Sequence, residues 1–133
     1  MENLTDLYKS SIMKKDILNR SDIEKVILFF YDKVREDESI NFFFSKVVKV
    51  DWEKHSVLMC DFWENVLFYT GDYQGNPIAT HKRINMLHKT DATHFERWLE
   101  IFCSVVDDLY RGENADKMKM HAKQIAEVMM QKI

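Results

Sequence analysis

The sequence predicts an all-α protein, and three observations support this fold class. The chain of 133 residues contains only three glycines and one proline. Two of those glycines and the proline share one short stretch, residues 71–77. Apolar residues recur at helical spacing through most of the remaining chain, and no strand-like alternation competes with them. The length fits one domain with one hydrophobic core.

Composition and charge limit the partners that such a chain can have. The net charge of −3 and the pI near 5.9 argue against binding to nucleic acid, which requires a basic face. No apolar run approaches the ~20 residues of a membrane span. The first residues, 1–6, lack the basic and apolar regions of a secretory signal. We therefore expect a cytoplasmic protein that contacts neither nucleic acid nor membrane.

The first predicted helix follows a lead-in. Residues 1–20 are expected to form this lead-in or a short helix, and residues 21–133 the single domain. Ser21 can cap the exposed amides of a helix, and Glu24 stands where a capping box requires an acid. The charged run 35–38 should end this helix. Its apolar face is formed by Ile23, Val26, Ile27, Phe30 and Val34.

A second long helix should begin at Trp52, with Asp51 as its cap. The short apolar cluster 40–44 before it predicts one or two helical turns. Six residues of the long helix cover roughly a 100° arc of a helical wheel. These are Trp52, His55, Met59, Phe62, Trp63 and Val66. His55 is therefore expected to point inward, on the side of Met59 and Trp63.

The stretch 71–77 breaks the helical pattern and should lead into a short helix. Asn76 can cap that helix and Pro77 suits its first position, which places His81 one turn further on. A long helix ending near Gly112 follows, with Phe95, Trp98, Leu99, Phe102, Val105, Val106 and Leu109 on its apolar face. The last helix should run over residues 115–133, with Met118, Ala122, Ile125, Val128 and Met129 inward.

The histidines and cysteines do not form a familiar metal or nucleophile motif. None of the five histidines is paired at His-x-x-x-His spacing, and no cysteine cluster supports them, which argues against zinc. The chain also lacks a Gly-x-Ser-x-Gly turn and a glycine-rich phosphate loop. Cys60 and Cys103 are expected to be small buried hydrophobes in a reducing compartment. His94 and His121 are expected to be solvated or capping residues.

A haem pocket remains as a candidate site. A five-coordinate haem needs one imidazole on one face of the iron and a flat apolar slot. Where oxygen binds, a hydrogen-bond donor on the opposite face is also needed. Two imidazoles, those of His81 and His55, beside an aromatic-rich apolar space would meet these needs. By spacing alone, each histidine is equally compatible with an ordinary core position.

Five segments in a fixed order give a more specific indication. Together they resemble the group III truncated haemoglobins of bacteria, and the match extends from about residue 23 to residue 130. The segments are Phe30-Tyr31-Asp32-Lys33-Val34-Arg35-Glu36-Asp37, Trp52-Glu53-Lys54-His55, Phe62-Trp63, Tyr73-Gln74-Gly75-Asn76-Pro77-x-x-x-His81 and Phe95-Glu96-Arg97-Trp98-Leu99. This resemblance implies a truncated globin fold, a two-over-two helical sandwich around a haem b.

The resemblance also implies a role for each matching residue. His81 matches the proximal iron ligand, with His88 as the alternative. Tyr31 matches the distal tyrosine and Trp98 the tryptophan that lines the distal pocket. His55 matches the distal-helix histidine, and whether it contacts the ligand, binds iron or acts as a gate stays open. Lys82 or Arg83 is a candidate partner for a haem propionate.

Three further residues are implied to contact the haem, and two positions depart from the family pattern. Phe44 matches the phenylalanine that packs on the haem edge, while Met59 and Phe62 lie on the distal helix. Met59 replaces a residue that is more often aliphatic, which leaves the size and polarity of the pocket open. The usual Gly-Pro before the phenylalanine is replaced by residues 41–43, so the turn into Phe44 can differ.

The implied function is reversible binding of oxygen or another diatomic ligand at a five-coordinate iron. A polar distal pocket favours slow release, which suits scavenging, sensing or redox chemistry better than bulk oxygen transport. The alternative is a redox enzyme, either a nitric oxide dioxygenase or a peroxidase-like protein, which would need an external reductase. A third hypothesis is a helical interaction module without haem. We expect a monomer or a weak dimer.

Overall fold

Four helices make up the ordered architecture in the part of the chain that the structure describes. The computed structural model describes residues 14–43, 51–70 and 90–132. The helices in these ranges are α1 (Arg20–Glu36), α2 (Trp52–Phe68), α3 (Ala92–Leu109) and α4 (Glu113–Lys132). None of the described residues forms a strand, in agreement with the predicted fold class. No helix within these ranges is long and apolar enough to cross a membrane.

The four helices form two layers of two. Helix α1 packs on α2 and α3, and α4 packs on the same two helices. The register of α1 against α2 is fixed near both ends. Arg20 Nη1 donates to Asp61 Oδ1 at 2.6 Å and to Glu64 Oε2 at 2.8 Å. Eleven residues further along α1, Tyr31 meets His55 near the start of α2, so the two helices run antiparallel.

The cap of helix α1 lies two residues before the predicted one. Asn19 is the observed cap, since its side chain accepts from the backbone N–H of Asp22. The Asp22 carboxylate turns back and accepts from the backbone N–H of Leu18 at 2.8 Å. Because Asn19 takes the capping position and Ser21 lies inside the helix, the Ser21 prediction was wrong. The end of the helix at Glu36, within the charged run, is confirmed.

The segment before α1 ties the two ends of the fold together. Ile17 is fully buried in the core. The Asp16 carboxylate accepts from the backbone N–H groups of Asn114 and Ala115, both at 2.9 Å, and thereby caps α4. Gly112 has φ +150°, and a Cβ atom there would lie 2.4 Å from Asp16 Cγ. Only glycine permits both this backbone conformation and this close approach.

A buried carboxylate on α1 links this segment to the end of α3. Asp22 is 7 % exposed and accepts from Lys15 Nζ at 2.7 and 2.8 Å and from the Tyr110 hydroxyl at 3.2 Å. Burial alone would raise the pKa of Asp22, but the hydrogen bonds from Lys15, Leu18 and Tyr110 outweigh it and lower the pKa. Burial, with the nearby Asp22 charge, raises the pKa of Tyr110 to about 12. Asp22 is therefore ionised and Tyr110 neutral near pH 7.

Replacing Asp22 with asparagine is expected to destabilise the protein by about 2–3 kcal/mol at pH 7, because several charge-assisted hydrogen bonds are lost. The folded-state pKa of Asp22 lies below its ordinary value of 3.8. Its stabilisation is therefore present above pH 4 or so and is lost as the pH falls through the lowered pKa. Urea unfolding of both proteins at pH 7 and pH 3 measures this, and the difference should shrink at pH 3.

Asp32→Asn serves as the matched control, since the Asp32 side chain is half exposed and its Arg35 partner is also at the surface. We expect it to change the free energy of unfolding by less than about 0.5 kcal/mol. Equal losses in the two variants would contradict the structural role of Asp22.

The cap of α2 follows the sequence prediction, and His94 contributes to the cap of α3. The Asp51 side chain accepts from the backbone N–H of Lys54, so α2 begins at Trp52 as predicted. At the start of α3, Asp91 and His94 form a capping box, in which His94 Nδ1 accepts from the Asp91 backbone N–H at 3.1 Å. The expectation that His94 is a capping residue is confirmed.

The core is built from apolar side chains of all four helices, aromatic and β-branched ones on α1 and α3 and only alanine and methionine among the described buried residues of α4. Its largest fully buried members include Phe30, Phe102, Ile23, Ile27 and Met118. Two details differ from prediction. Val128 is 38 % exposed, because the buried stripe of α4 runs through Met118, Ala122, Ala126 and Met129. Cys60 is buried as predicted, whereas Cys103 is only partly buried, on the edge of α3 near Asp107 and Lys119.

Candidate functional site

A buried tyrosine–histidine pair joins α1 to α2. Tyr31 is 6 % exposed, on the inward face of α1. Its hydroxyl oxygen lies 2.5 Å from Nε2 of His55, which is half-buried on α2. The predicted inward direction of His55 is therefore confirmed, and the two side chains that the sequence singled out on separate helices are brought together.

The protonation state of Tyr31 and the tautomer of His55 determine which hydrogen bonds this pair can make. Burial raises the pKa of Tyr31 well above its usual range, so its hydroxyl is protonated near pH 7. A neutral imidazole can accept at Nε2 or donate from it, depending on its tautomer. When Nε2 accepts, the phenol proton is held by His55. When Nε2 donates, the phenol oxygen accepts from it and the phenol proton points away from His55.

An indole and a guanidinium close one side of the pair. The Trp52 ring centroid lies 5.1 Å from that of Tyr31 and 6.2 Å from that of His55, both in edge-to-face geometry. Arg35 lies over the Trp52 ring, with Cζ 4.8 Å from the centroid. This cation–π contact holds the indole against the pair and places a positive charge at its outer face.

Trp98 lies at one end of an aromatic stack on the α3 side of the core. Its ring lies 5.5 Å from that of Phe102 with an interplanar angle of 12°. The ring of Trp63 stacks on Phe102 at 5.1 Å and 21°. Phe30 contacts Trp98 edge-on at 5.7 Å and Tyr31 at 4.9 Å. The half-buried Trp98 indole is thus fixed in orientation, and Phe30 links it to the tyrosine–histidine pair.

The other predicted site residues divide into two groups. Met59 and Phe62 are half-buried on α2 and pack against the core. Phe44, His81, the alternative ligand His88 and the propionate candidates 82 and 83 lie outside the described residues. The structure therefore informs the distal half of the predicted site.

The described residues fit a haem on this distal half. A porphyrin needs apolar contact along its face, which the half-buried Met59, Phe62 and Trp98 can supply. A ligand on the iron needs a polar donor, which the Tyr31–His55 pair can supply. No group of three or more His, Cys, Asp or Glu side chains in the described ranges could hold a metal ion. Haem iron needs no such group, because the porphyrin supplies four of its ligands.

Two sets of aromatic contacts in this site were not predicted from the sequence. Arg35 was assigned only to the charged run that ends α1, although it stacks on Trp52. Phe30 and Phe102 were assigned to the core, although they also connect Trp98 to Tyr31 and Trp63. The helical wheel carried a signal for Arg35, since it lies four residues after Tyr31 on the same face.

The chain has the truncated globin fold, as a solved structure of the same fold shows. Its structure is similar to the crystal structure of the group III truncated hemoglobin from Campylobacter jejuni, with a TM-score of 0.76 and 29 % sequence identity. The similarity covers 90 % of this chain and 94 % of that one. The two-over-two arrangement predicted from the resemblance is thereby confirmed.

The sequence comparison points to a particular relative. The chain is 28 % identical over 117 residues to the group 3 truncated hemoglobin ctb of Campylobacter jejuni, a match covering 86 % of this chain and 90 % of that protein. The sequence matches no family model. The resemblance to group III truncated haemoglobins is confirmed by sequence and by structure, and globins of this kind imply a haem cofactor.

Proposed function

We propose that this protein binds oxygen or another diatomic ligand reversibly at a five-coordinate haem b. In this proposal His81 is the iron ligand, and Tyr31, Trp98 and His55 lie on the distal side. The observation that carries the proposal is the 2.5 Å contact between the buried Tyr31 hydroxyl and His55 Nε2. A polar pair of this kind between two helices of a globin fold is suited to hold a polar ligand.

Haem would supply an iron centre and a position on it at which a small ligand binds. The protein chain supplies the polarity around that position. Tyr31 stays neutral near pH 7, so its O–H group remains a donor. Reorientation of the phenol proton from His55 toward the ligand would be compensated by the imidazole, which can turn from acceptor to donor. Trp98, whose ring stacks on Phe102, would offer its indole N–H.

Two donors on one ligand imply slow release. A hydrogen bond from a neutral donor contributes about 1 kcal/mol, and one to a charged acceptor about 1.5–3 kcal/mol. Since 1.4 kcal/mol corresponds to about tenfold in affinity, two donors can retard release by two orders of magnitude or so. The proposed protein therefore suits scavenging, sensing or redox chemistry. We expect it to act as a cytoplasmic monomer or weak dimer.

Addition of haem to the purified protein tests this proposal. A titration should saturate at about one haem per chain and produce a Soret band, and the ferrous protein should change spectrum on exposure to oxygen or carbon monoxide. Failure to bind haem would contradict the proposal and favour a haem-free interaction module.

A peroxidase-like or nitric oxide dioxygenase activity is the second candidate. The same imidazole that contacts Tyr31 can act as the acid–base group that assists O–O cleavage. Turnover would also need electrons from a separate reductase or a small reductant. We expect His55→Leu to lower the rate of peroxide-driven oxidation of a dye by about 100-fold to 10,000-fold, the range of general acid–base catalysis.

Stopped-flow kinetics with hydrogen peroxide measures this effect. Thr90→Val, at a half-buried position before α3, provides a control of comparable size change. A rate in His55→Leu equal to that of the unmodified protein would exclude His55 as the acid–base group.

A further inference from the structure

The Tyr31–His55 contact has the geometry of a proton-coupled redox pair. Removal of one electron from a phenol makes its O–H group strongly acidic, so oxidation requires a base that takes the proton at once. His55 Nε2 lies 2.5 Å from the Tyr31 oxygen, within the range of a short hydrogen bond. With the imidazole proton on Nδ1, Nε2 is the acceptor that this reaction needs.

Burial of Tyr31 favours simultaneous loss of its electron and proton over loss in two separate steps. Tyr31 is 6 % exposed, so bulk water has little access to its hydroxyl. Burial also raises the pKa of the phenol, which suppresses prior formation of tyrosinate. The proton and the electron must therefore leave together. His55 is only half-buried, so the imidazolium that forms keeps part of its hydration.

The neighbouring rings would keep the oxidised state on Tyr31. Trp52 is the nearest indole, with its centroid 5.1 Å away, but the Arg35 guanidinium lies over that ring. A positive charge at 4.8 Å disfavours a second positive charge on the indole. Phe30, whose centroid lies 4.9 Å from that of Tyr31, has a ring that is harder to oxidise than a phenol.

We propose that Tyr31 is a redox-active tyrosine that gives up an electron to a hydroperoxide-oxidised haem while its proton passes to His55. This inference rests on the proposed haem-binding function. In each step the phenolic O–H bond breaks, the proton binds Nε2 of His55, and a neutral tyrosyl radical remains. A reductant of the ascorbate class then returns one hydrogen atom to Tyr31.

Two such steps balance the reduction of one peroxide. Conversion of hydrogen peroxide to two water molecules breaks the O–O bond and consumes two electrons and two protons. In each step Tyr31 supplies one electron, and His55 passes the proton that it accepted to the water that forms, so that Nε2 can accept again. Two molecules of reductant are each oxidised by one hydrogen atom. The tyrosine thus serves as a relay that moves oxidising equivalents away from the haem.

Freeze-quench electron paramagnetic resonance tests the inference. Haem-loaded ferric protein, grown with ring-deuterated tyrosine or with ordinary tyrosine, is mixed with hydrogen peroxide and frozen within milliseconds. The expected signal is a radical whose hyperfine pattern narrows on tyrosine deuteration. It should fall at least tenfold in Tyr31→Phe and persist in Tyr69→Phe, which alters an 81 % exposed tyrosine, and in Tyr110→Phe.

A second measurement tests the role of His55 as the proton acceptor. In His55→Gln the radical should form at least several-fold more slowly, and the solvent deuterium isotope effect on its formation should change. Peptide mapping of a nitroso spin-trap adduct in the unmodified protein covers the case in which Tyr31→Phe fails to fold. Tryptic cleavage after Lys25 and Lys33 yields residues 26–33, in which Tyr31 is the only tyrosine. The adduct should lie in this peptide.

Three outcomes would overturn the inference. One is a radical of equal intensity in Tyr31→Phe, the second is a radical unaffected by tyrosine deuteration, and the third is an adduct confined to other peptides. Failure of the unmodified protein to bind haem would contradict the proposed function itself. Normal haem and ligand spectra without a Tyr31 radical would overturn the redox role alone.

Discussion

Oxygen is expected to dissociate about tenfold to 100-fold faster from Tyr31→Phe than from the unmodified ferrous protein. The substitution removes a hydroxyl that we propose to donate to the bound ligand. A bond of this kind to a partly charged acceptor contributes about 1.5–3 kcal/mol, and each 1.4 kcal/mol corresponds to about a factor of ten in rate. Mixing the oxygenated protein with excess carbon monoxide and dithionite in a stopped-flow instrument measures the rate.

The effect should arise from the hydroxyl, because a phenylalanine ring can keep the packing of Tyr31 against Phe30 and Trp52. Tyr69→Phe is the matched control, since Tyr69 is 81 % exposed at the end of α2. Its dissociation rate should equal that of the unmodified protein. An unchanged rate in Tyr31→Phe would remove Tyr31 from ligand binding and leave the hydroxyl as a structural partner of His55.

Replacing Phe102 with alanine should produce the largest loss of stability. Phe102 is 1 % exposed and contacts Phe30, Trp63 and Trp98 through its ring. Truncation of such a ring costs about 3–5 kcal/mol, because apolar burial is lost and a cavity remains. For a domain of this size, the melting temperature should fall by roughly 10–20 °C. Circular dichroism of haem-saturated protein measures the change.

Phe102→Leu separates the cavity from the loss of aromatic stacking. Leucine refills most of the volume, so we expect a cost of about 1–1.5 kcal/mol. A loss in Phe102→Ala below about 1 kcal/mol would contradict the assignment of this ring to the centre of the core. Faster ligand dissociation in Phe102→Leu at nearly unchanged stability would indicate that the stack also orients Trp98.

The helical elements were largely predictable because their signals are local. Asp51 and the break at Gly112 are local capping and turn signals, and they gave the start of α2 and the end of α3. The start of α1 was not predictable in the same way. Asn19 caps the helix in place of Ser21, because Lys15 and Tyr110 hold the Asp22 carboxylate. Tyr110 lies 88 residues from Asp22 in the sequence. No local pattern contains that contact.

In the candidate site, too, the local features were predictable and the contacts between distant residues were not. Helical spacing placed His55 on an inward face, and the family resemblance singled out Tyr31 and Trp98. Neither could give the 2.5 Å contact between Tyr31 and His55, because it depends on the register of α1 against α2. The Arg35–Trp52 contact likewise depends on how two helix ends meet. Spacing predicts which face a side chain occupies, whereas its partner is set by tertiary packing.

The spectrum of His81→Ala, recorded beside that of the unmodified protein, tests whether this chain binds haem iron through His81. Ferric, ferrous and carbon-monoxide-bound forms should be compared in the ultraviolet and visible range, with His88→Ala as the matched control. If His81 holds the iron, its removal should abolish the native Soret spectrum, and added imidazole should restore it, while His88→Ala should retain it. A native spectrum in His81→Ala, or its loss only in His88→Ala, would contradict the account.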